Sequence, residues 1–228
     1  MHFLRSTPLK LIAKNLTIDR GGRRVFQDLS FSLEHSTALV VTGANGIGKS
    51  SLLRTLAGLV PLSAGEFHLE GGEGEKLPQE QTHYFGHQDA VKPALSVLEN
   101  LRFWQSFAAP SVAGAFSGRV LSPVEAIETL GIGHTAHLPA AYLSAGQKRR
   151  LSLSRLLVTP RPIWLMDEPT SALDKASEAQ LLGLMNAHLA SGGLIVTATH
   201  TDLALDKIQV LHLQANDPVS QTPEEAMI

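Results

Sequence analysis

The chain has no cysteine in its 228 residues. That absence removes disulfides, thiolate metal sites and cysteine nucleophiles together, and it gives no sign of an oxidising compartment. No apolar run approaches the ~20 residues needed to cross a bilayer. The opening MHFLRSTPLK lacks a continuous apolar core, so it does not read as a secretory signal. An excess of basic charge is missing too. Lys and Arg number 19 against 21 Asp and Glu, a formal net charge of −2, which leaves no positive field for sequence-independent nucleic-acid binding. The short cluster Lys148, Arg149, Arg150 reads as a solvated helix face. Neither an internal repeat nor a low-complexity block is present. What remains is ordinary for a globular protein, 43% hydrophobic and 18% charged, in a chain long enough to bury a core. The chain reads as soluble and cytosolic unless a partner holds it elsewhere.

The most informative stretch is Thr37 to Leu59, TALVVTGANGIGKSSLLRTLAGL. Thr37 to Thr42 is a short apolar run suited to a buried strand, and Lys49 to Leu59 has apolar residues at helical spacing. Between them Gly43, Ala44, Asn45, Gly46, Ile47, Gly48, Lys49, Ser50 and Ser51 carry the pattern G-x-x-x-x-G-K-[ST] of the nucleoside-triphosphate phosphate loop. Glycines let successive N–H groups close on phosphate without Cβ clashes, and the helix N-terminus adds its positive dipole end. Lys49 is placed to reach the β- and γ-phosphates of ATP, and the Ser50 hydroxyl to bind Mg²⁺. An ordinary glycine-rich turn is the alternative, but it has no use for the lysine and serine.

The rest of the chain alternates strand and helix texture. Leu9 to Asp19 and Val25 to Leu33 read as strands joined by a Gly21-Gly22 turn, hence antiparallel. Gly65 to Glu70 and Thr82 to Gly86 are further strands, separated by a polar, Gly-rich loop over Gly71 to Gln81. From Asp89 to about Leu157 the periodicity is helical, with helices over Leu95 to Phe107 and Ser122 to Leu130 and a surface loop over Ala108 to Gly118. Ser122 and Glu125 form a capping box with Pro123 at the first helical position. Strand texture returns at Ile163 to Asp167, Leu194 to Thr199 and Ile208 to Leu213, with a helix over Ala176 to Leu189. Gln214 to Ile228 is polar with two prolines and two adjacent glutamates, and reads as a mobile tail. Alternating strands and helices predict an α/β core with a parallel sheet.

Two further patterns make chemistry of the binder. IWLMDEP over Ile163 to Pro169 ends a buried strand on Asp167 and Glu168, at the end where ligands bind in open α/β sheets. Asp167 can hold Mg²⁺ directly or through water, and Glu168 can polarise an attacking water as general base. Ser144, Ala145, Gly146 and Gln147 open another helix with a capping-box spacing and a serine hydroxyl, an anion site in outline. The remaining histidines, including the pair His134 and His137, read as surface or packing residues, with no metal expected beyond Mg²⁺.

Together LSAGQ and the MDEP downstream resemble the ATP-binding-cassette (ABC) ATPases, whose signature is usually LSGGQ; Ala145 stands in place of the first glycine, with less backbone freedom. The resemblance covers roughly Leu11 to Leu213. It implies a single ABC-type domain over residues 1–213: a P-loop NTPase core with an antiparallel β subdomain and an inserted α-helical subdomain over about residues 89–157. It assigns Gln88 to the loop glutamine that touches Mg²⁺ and senses the transporter, Asp174 to the loop after the acids (Ser171 to Asp174), and His200 to the switch histidine at the γ-phosphate. The family's adenine-stacking aromatic is missing between the first two strands; Arg20 stands there, and its planar guanidinium can stack on a base. The resemblance implies that Ser144, Gly146 and Gln147 complete the ATP site of a second copy, so that two chains sandwich two ATP molecules.

Three function classes then compare. A non-ABC kinase or GTPase leaves LSAGQ and His200 without a role, and no [NT]KxD guanine-reading motif occurs. Soluble ABC ATPases of ribosomes or DNA usually carry tandem cassettes or coiled-coil insertions. A single short cassette fits the ATPase subunit of an exporter with separate integral membrane subunits. FGHQDAVKPALSVLENLRFW around Gln88 is similar to one subfamily, the ATPases of the haem exporter of bacterial cytochrome c maturation, although that subfamily often has proline where Asp89 stands. The implied location is the cytoplasmic face of the inner membrane, with no nucleic acid and no direct haem contact. Lipid, antibiotic or multidrug exporters are the alternatives.

Overall fold

The computed structural model describes residues 7–86, 88–107, 116–171 and 173–214. Expectations that fall on His2, His87, residues 108–115, Ala172 and residues 215–228 lie outside them. The chain opens with an antiparallel hairpin of β1 (Lys10–Arg20) and β2 (Arg23–Glu34), paired Arg20 to Arg23 across the Gly21-Gly22 turn. Both turn glycines have positive φ, which matches the twist of the flanking strands. On the other edge of β1 runs β4 (Ala64–Glu70), giving the antiparallel order β2-β1-β4.

The second sheet is parallel throughout, in the order β5-β6-β7-β3-β8. Its members are β3 (Ala38–Thr42), β5 (Thr82–Phe85), β6 (Ile163–Asp167), β7 (Leu194–Ala198) and β8 (Ile208–His212). Strands β6 and β7 are buried at every residue. Both faces are covered, which is why these strands read as unbroken apolar runs rather than alternating ones. One face takes Leu39, Val41, Leu165 and Val196 and packs with Leu11, Phe26 and Leu33 of the antiparallel sheet and with Leu52 and Leu53 of α1 (Lys49–Leu56). The opposite face takes Phe85, Trp164, Met166 and Ile195. It packs against α2 (Val97–Phe107), α3 (Pro123–Thr129), α4 (Ala145–Val158) and α5 (Lys175–Ala190). Leu98 and Leu101 of α2 are core residues of that layer.

Several boundaries differ from the sequence expectation, each for a local reason. Helix α1 stops at Leu56 rather than Leu59, because Gly58 turns left-handed (φ +73°) and the Leu59 amide folds back onto the Arg54 carbonyl at 2.8 Å. Helix α2 starts at Val97 rather than Leu95. Ser96 caps it, with the Glu99 carboxylate accepting from the Ser96 amide and hydroxyl at 2.7 Å each. The polar stretch before β5 ends in a 3₁₀ turn, Pro78–Gln81. Gln81 is buried there, its side chain accepting from the Glu73 amide at 2.8 Å and donating to the Glu73 and Lys76 carbonyls. The capping boxes at Ser122 and Ser144 are both formed.

One expectation is overturned. The Lys148 to Arg150 cluster is not a solvated face, because Arg149 is buried. Its guanidinium lies 3.8 Å from the centre of the Phe85 ring and donates to the Gly86 carbonyl at 2.8 Å and to Asp89 Oδ1 at 3.3 Å. Charge composition cannot reveal this, because the partners, a ring and a carbonyl at the end of β5 and the Asp89 carboxylate, lie 60 or more residues away in sequence.

Candidate functional site

Strand β3 delivers the phosphate loop to the carboxyl edge of the parallel sheet, and α1 leaves it. Gly43, Gly46 and Gly48 all have positive φ, at +135°, +78° and +116°. At two of them the requirement is also steric. A Cβ on Gly48 would stand 2.4 Å from Val25 Cγ1, and one on Gly43 would stand 2.6 Å from the Leu213 carbonyl oxygen. The loop is therefore wedged between the hairpin and the chain after β8. Gly48 caps α1 without a side-chain bond to its first amides, and the first turn holds no acidic residue. The helix start presents free donors and its positive end, the requirements of an anion site.

Lys49 folds over this loop and is buried. Its ammonium donates to the Gly43 carbonyl at 2.8 Å, to the Ala44 carbonyl at 3.1 Å and to His200 Nε2 at 3.2 Å. An ammonium only donates, so His200 Nε2 accepts here. His200 follows β7 and also stands 3.7 Å from Glu168 Oε1. Glu168 itself has φ +49°, a left-handed backbone uncommon for a residue with a side chain. Its amide donates to the Ala198 carbonyl at 2.8 Å, which pins the turn after β6 to the end of β7. The distortion swings the carboxylate away from the strand line and toward His200.

Asp167 is the last residue of β6 and is buried. Ser50 Oγ donates to its Oδ1 at 2.9 Å, and the Tyr84 hydroxyl donates to its Oδ2 at 3.3 Å. The loop serine and the strand-end carboxylate, 117 residues apart in sequence, thus lie in contact. The Ser50 hydroxyl and the Asp167 carboxylate are oxygen ligands of the kind a hard cation takes, and the loop amides and the Lys49 ammonium are donors suited to phosphate oxygens. The residues present fit Mg²⁺ with a nucleotide.

These groups line one cleft of about 380 Å³, bounded by Arg20, Asn45, Gly46, the turn from Gly48 to Ser51, Asp167, Glu168 and His200. Arg20, at the end of β1, is part of its wall, while Gly43, Ala44 and Ile47 belong to the loop without lining the cleft. Gln88 lines instead a neighbouring cleft of about 1100 Å³, along with Arg54, Tyr84, Asp89, Trp104 and Phe107. Ser144, Gly146 and Gln147 are likewise not among the residues of the phosphate-loop cleft. Ser144 caps α4, taking a bond from the Gln147 amide at 3.2 Å, and Ala145 is already helical, so the missing glycine costs the backbone nothing. Asp174 caps α5 through the Ser177 amide at 2.7 Å, which holds its carboxyl below the usual carboxylate range.

Sequence reasoning missed Tyr84 and Arg54. No motif marks them, and only the register of β5 against β6, Tyr84 beside Leu165, brings the phenol toward Asp167.

The sequence profile of the ABC transporter family matches residues 26–171. A cytochrome c biogenesis ATP-binding export protein CcmA of Chelativorans sp. (strain BNC1) is 49% identical over 92% of this chain and 100% of its own length. The protein of the same name from Mesorhizobium japonicum is 52% identical over 87% of this chain and 95% of its own. Among solved structures, an ATP-binding subunit of an ABC transporter superposes with a TM-score of 0.75, at 22% identity, over 90% of this chain and 88% of that one. By the family profile and the half-identical relatives, the chain belongs to the ABC transporter ATP-binding family, within its cytochrome c biogenesis export proteins.

Proposed function

We propose that this chain is the ATP-hydrolysing subunit of the haem exporter complex of bacterial cytochrome c biogenesis. The carrying observation is the contact of Ser50 with Asp167 beneath a buried Lys49, with Glu168 and His200 at its side, in a chain half identical to CcmA export proteins. In this reading the loop amides and Lys49 hold the β- and γ-phosphates, and Arg20 stacks on the base. Ser50 and Asp167 hold Mg²⁺, which when bound neutralises charge on the phosphoryl oxygens. Gln88, outside that cleft here, is a further oxygen donor that would serve the metal. Glu168 takes the proton of the water that attacks the γ-phosphorus as the bond to the ADP oxygen breaks. His200 orients the γ-phosphate, and its contact with Lys49 keeps it at hand.

Ser144 is exposed and stands apart from its own chain's phosphate loop. That placement supports a head-to-tail pair of copies, in which Ser144, Gly146, Gln147 and Asp174 of each copy complete the site of the other. The integral membrane subunits dock at the cleft beside Gln88, where Phe107 and Leu59 are 72% and 62% exposed. In this reading the chain sits at the cytoplasmic face of the inner membrane.

Complementation tests the reading. A bacterium deleted for this chain should lose covalent haem from its c-type cytochromes, and the wild-type chain should restore it. Lys49→Ala and Glu168→Gln should not. Purified Glu168→Gln should keep ATP and sediment as a dimer. Haem staining restored by Lys49→Ala would overturn the proposal, as would a Glu168→Gln chain that stays monomeric with bound ATP.

A further inference from the structure

Tyr84 lines the larger cleft and reaches Asp167 of the phosphate-loop cleft, and nothing in the reading above uses it. It sits on β5 with the opposite parity to His83 and Phe85, which face the helical layer, so its ring points to the face of the sheet that α1 covers. In the β5–β6 register Tyr84 lies beside Leu165, and Asp167 is two residues further along the same face. The phenol is thereby aimed at the carboxylate. Its hydroxyl donates to Asp167 Oδ2 at 3.3 Å while Ser50 takes Oδ1. From the other side Arg54 Nε, one turn along α1 from Ser50, donates to the Tyr84 oxygen at 3.3 Å.

The polarity of this chain is fixed. A guanidinium can only donate and a carboxylate only accept, so the hydroxyl must pass its proton toward Asp167. Each bond in such a line strengthens the next. Ser50 and Tyr84 thus hold one oxygen of Asp167 each, and the Tyr84 bond restrains the carboxylate plane independently of Ser50.

We infer that Tyr84, gripped by Arg54, is a positioning residue that fixes the Asp167 carboxylate for Mg²⁺. Partners of this kind, one step removed from the metal, are worth about 10–100-fold in metal affinity. The inference rests on the assignment of Asp167 to Mg²⁺, so the experiment separates the two. Mn²⁺ replaces Mg²⁺, and its affinity for the ATP-loaded Glu168→Gln chain is read from the electron paramagnetic resonance signal of free Mn²⁺. ATP affinity is measured in parallel in EDTA with a fluorescent ATP analogue.

Tyr84→Phe removes only the hydroxyl. It should weaken Mn²⁺ about tenfold while metal-free nucleotide affinity stays within about twofold. Arg54→Met should give a smaller loss with the same split, and Asp167→Asn a larger one. If Tyr84→Phe leaves Mn²⁺ affinity unchanged while Asp167→Asn lowers it, the positioning role is wrong and the metal assignment stands. If Asp167→Asn also leaves it unchanged, both are wrong. An equal loss with and without metal would make Tyr84 a structural residue only.

Discussion

Replacing Arg149 by methionine should destabilise the fold by about 2–3 kcal/mol. The variant keeps the aliphatic stem and removes the guanidinium. Lost are a charge-assisted bond to the Gly86 carbonyl at 2.8 Å, a longer one to Asp89 at 3.3 Å, and the stack on Phe85 at 3.8 Å. A hydrogen bond to a charged group is worth about 1.5–3 kcal/mol, and a partly desolvated cation over a ring about 1–2 kcal/mol. Against this stands the cost of keeping the cation from water, visible in the downward push that burial gives its pKa. The carbonyl of Gly86, itself buried, is left without this donor, so the balance stays destabilising. With a urea slope of about 2–3 kcal/mol/M for a chain of this size, the unfolding midpoint should fall by about 1 M. Arg149→Lys should fall between, because an ammonium cannot stack flat and donate sideways at once. The measurement is equilibrium urea unfolding by circular dichroism. An Arg149→Met midpoint within about 0.2 M of wild type would refute the reasoning, since it would mean the contacts only offset desolvation.

Two other outcomes are expected. Gly48→Ala puts a methyl group at φ +116° and 2.4 Å from Val25, so it should abolish nucleotide binding in a filter assay and cost at least about 1–3 kcal/mol; retained affinity would mean that the hairpin yields easily. His83 and His188 are fully buried and neutral, with burial pushing His188 down from 6.5 to about 3 and His83 well below 6.5. Below pH 6.5 the unfolded chain binds protons that the folded one refuses, so stability falls as pH falls. The slope is about 1.4 kcal/mol per pH unit for each histidine. Urea midpoints at pH 7 and 5.5 measure it; half the slope would show that one of the rings is solvated, and a flat response that both are.

Much of this architecture was legible because several motifs encode local backbone requirements. The glycine spacing of the phosphate loop, the capping boxes at Ser122 and Ser144 and the apolar runs of β6 and β7 each specify their own geometry within a few residues. The capping box at Ser96 was equally local, and the hydrophobic Leu95 before it masked the true start of α2. What stayed hidden was long-range. Arg149 looked like surface charge because Phe85 and Gly86 are 63 and more residues away. Tyr84 looked like one more strand aromatic, since its significance depends on β5 lying beside β6 rather than beside β3. A one-residue slip of that register would turn the phenol to the opposite face.

The close approach of Val25 to Gly48 and of the Leu213 carbonyl to Gly43 carries a consequence of its own. The loop's shape is templated by the second strand of the chain and by the residue after its last one. Any coupling of nucleotide binding to the seating of those two supports is reciprocal, so a support that holds the loop in its binding shape is held in turn by the bound nucleotide. The hairpin at one end of the sequence and the edge strand at the other are thus thermodynamic reporters of occupancy, although neither supplies a phosphate ligand.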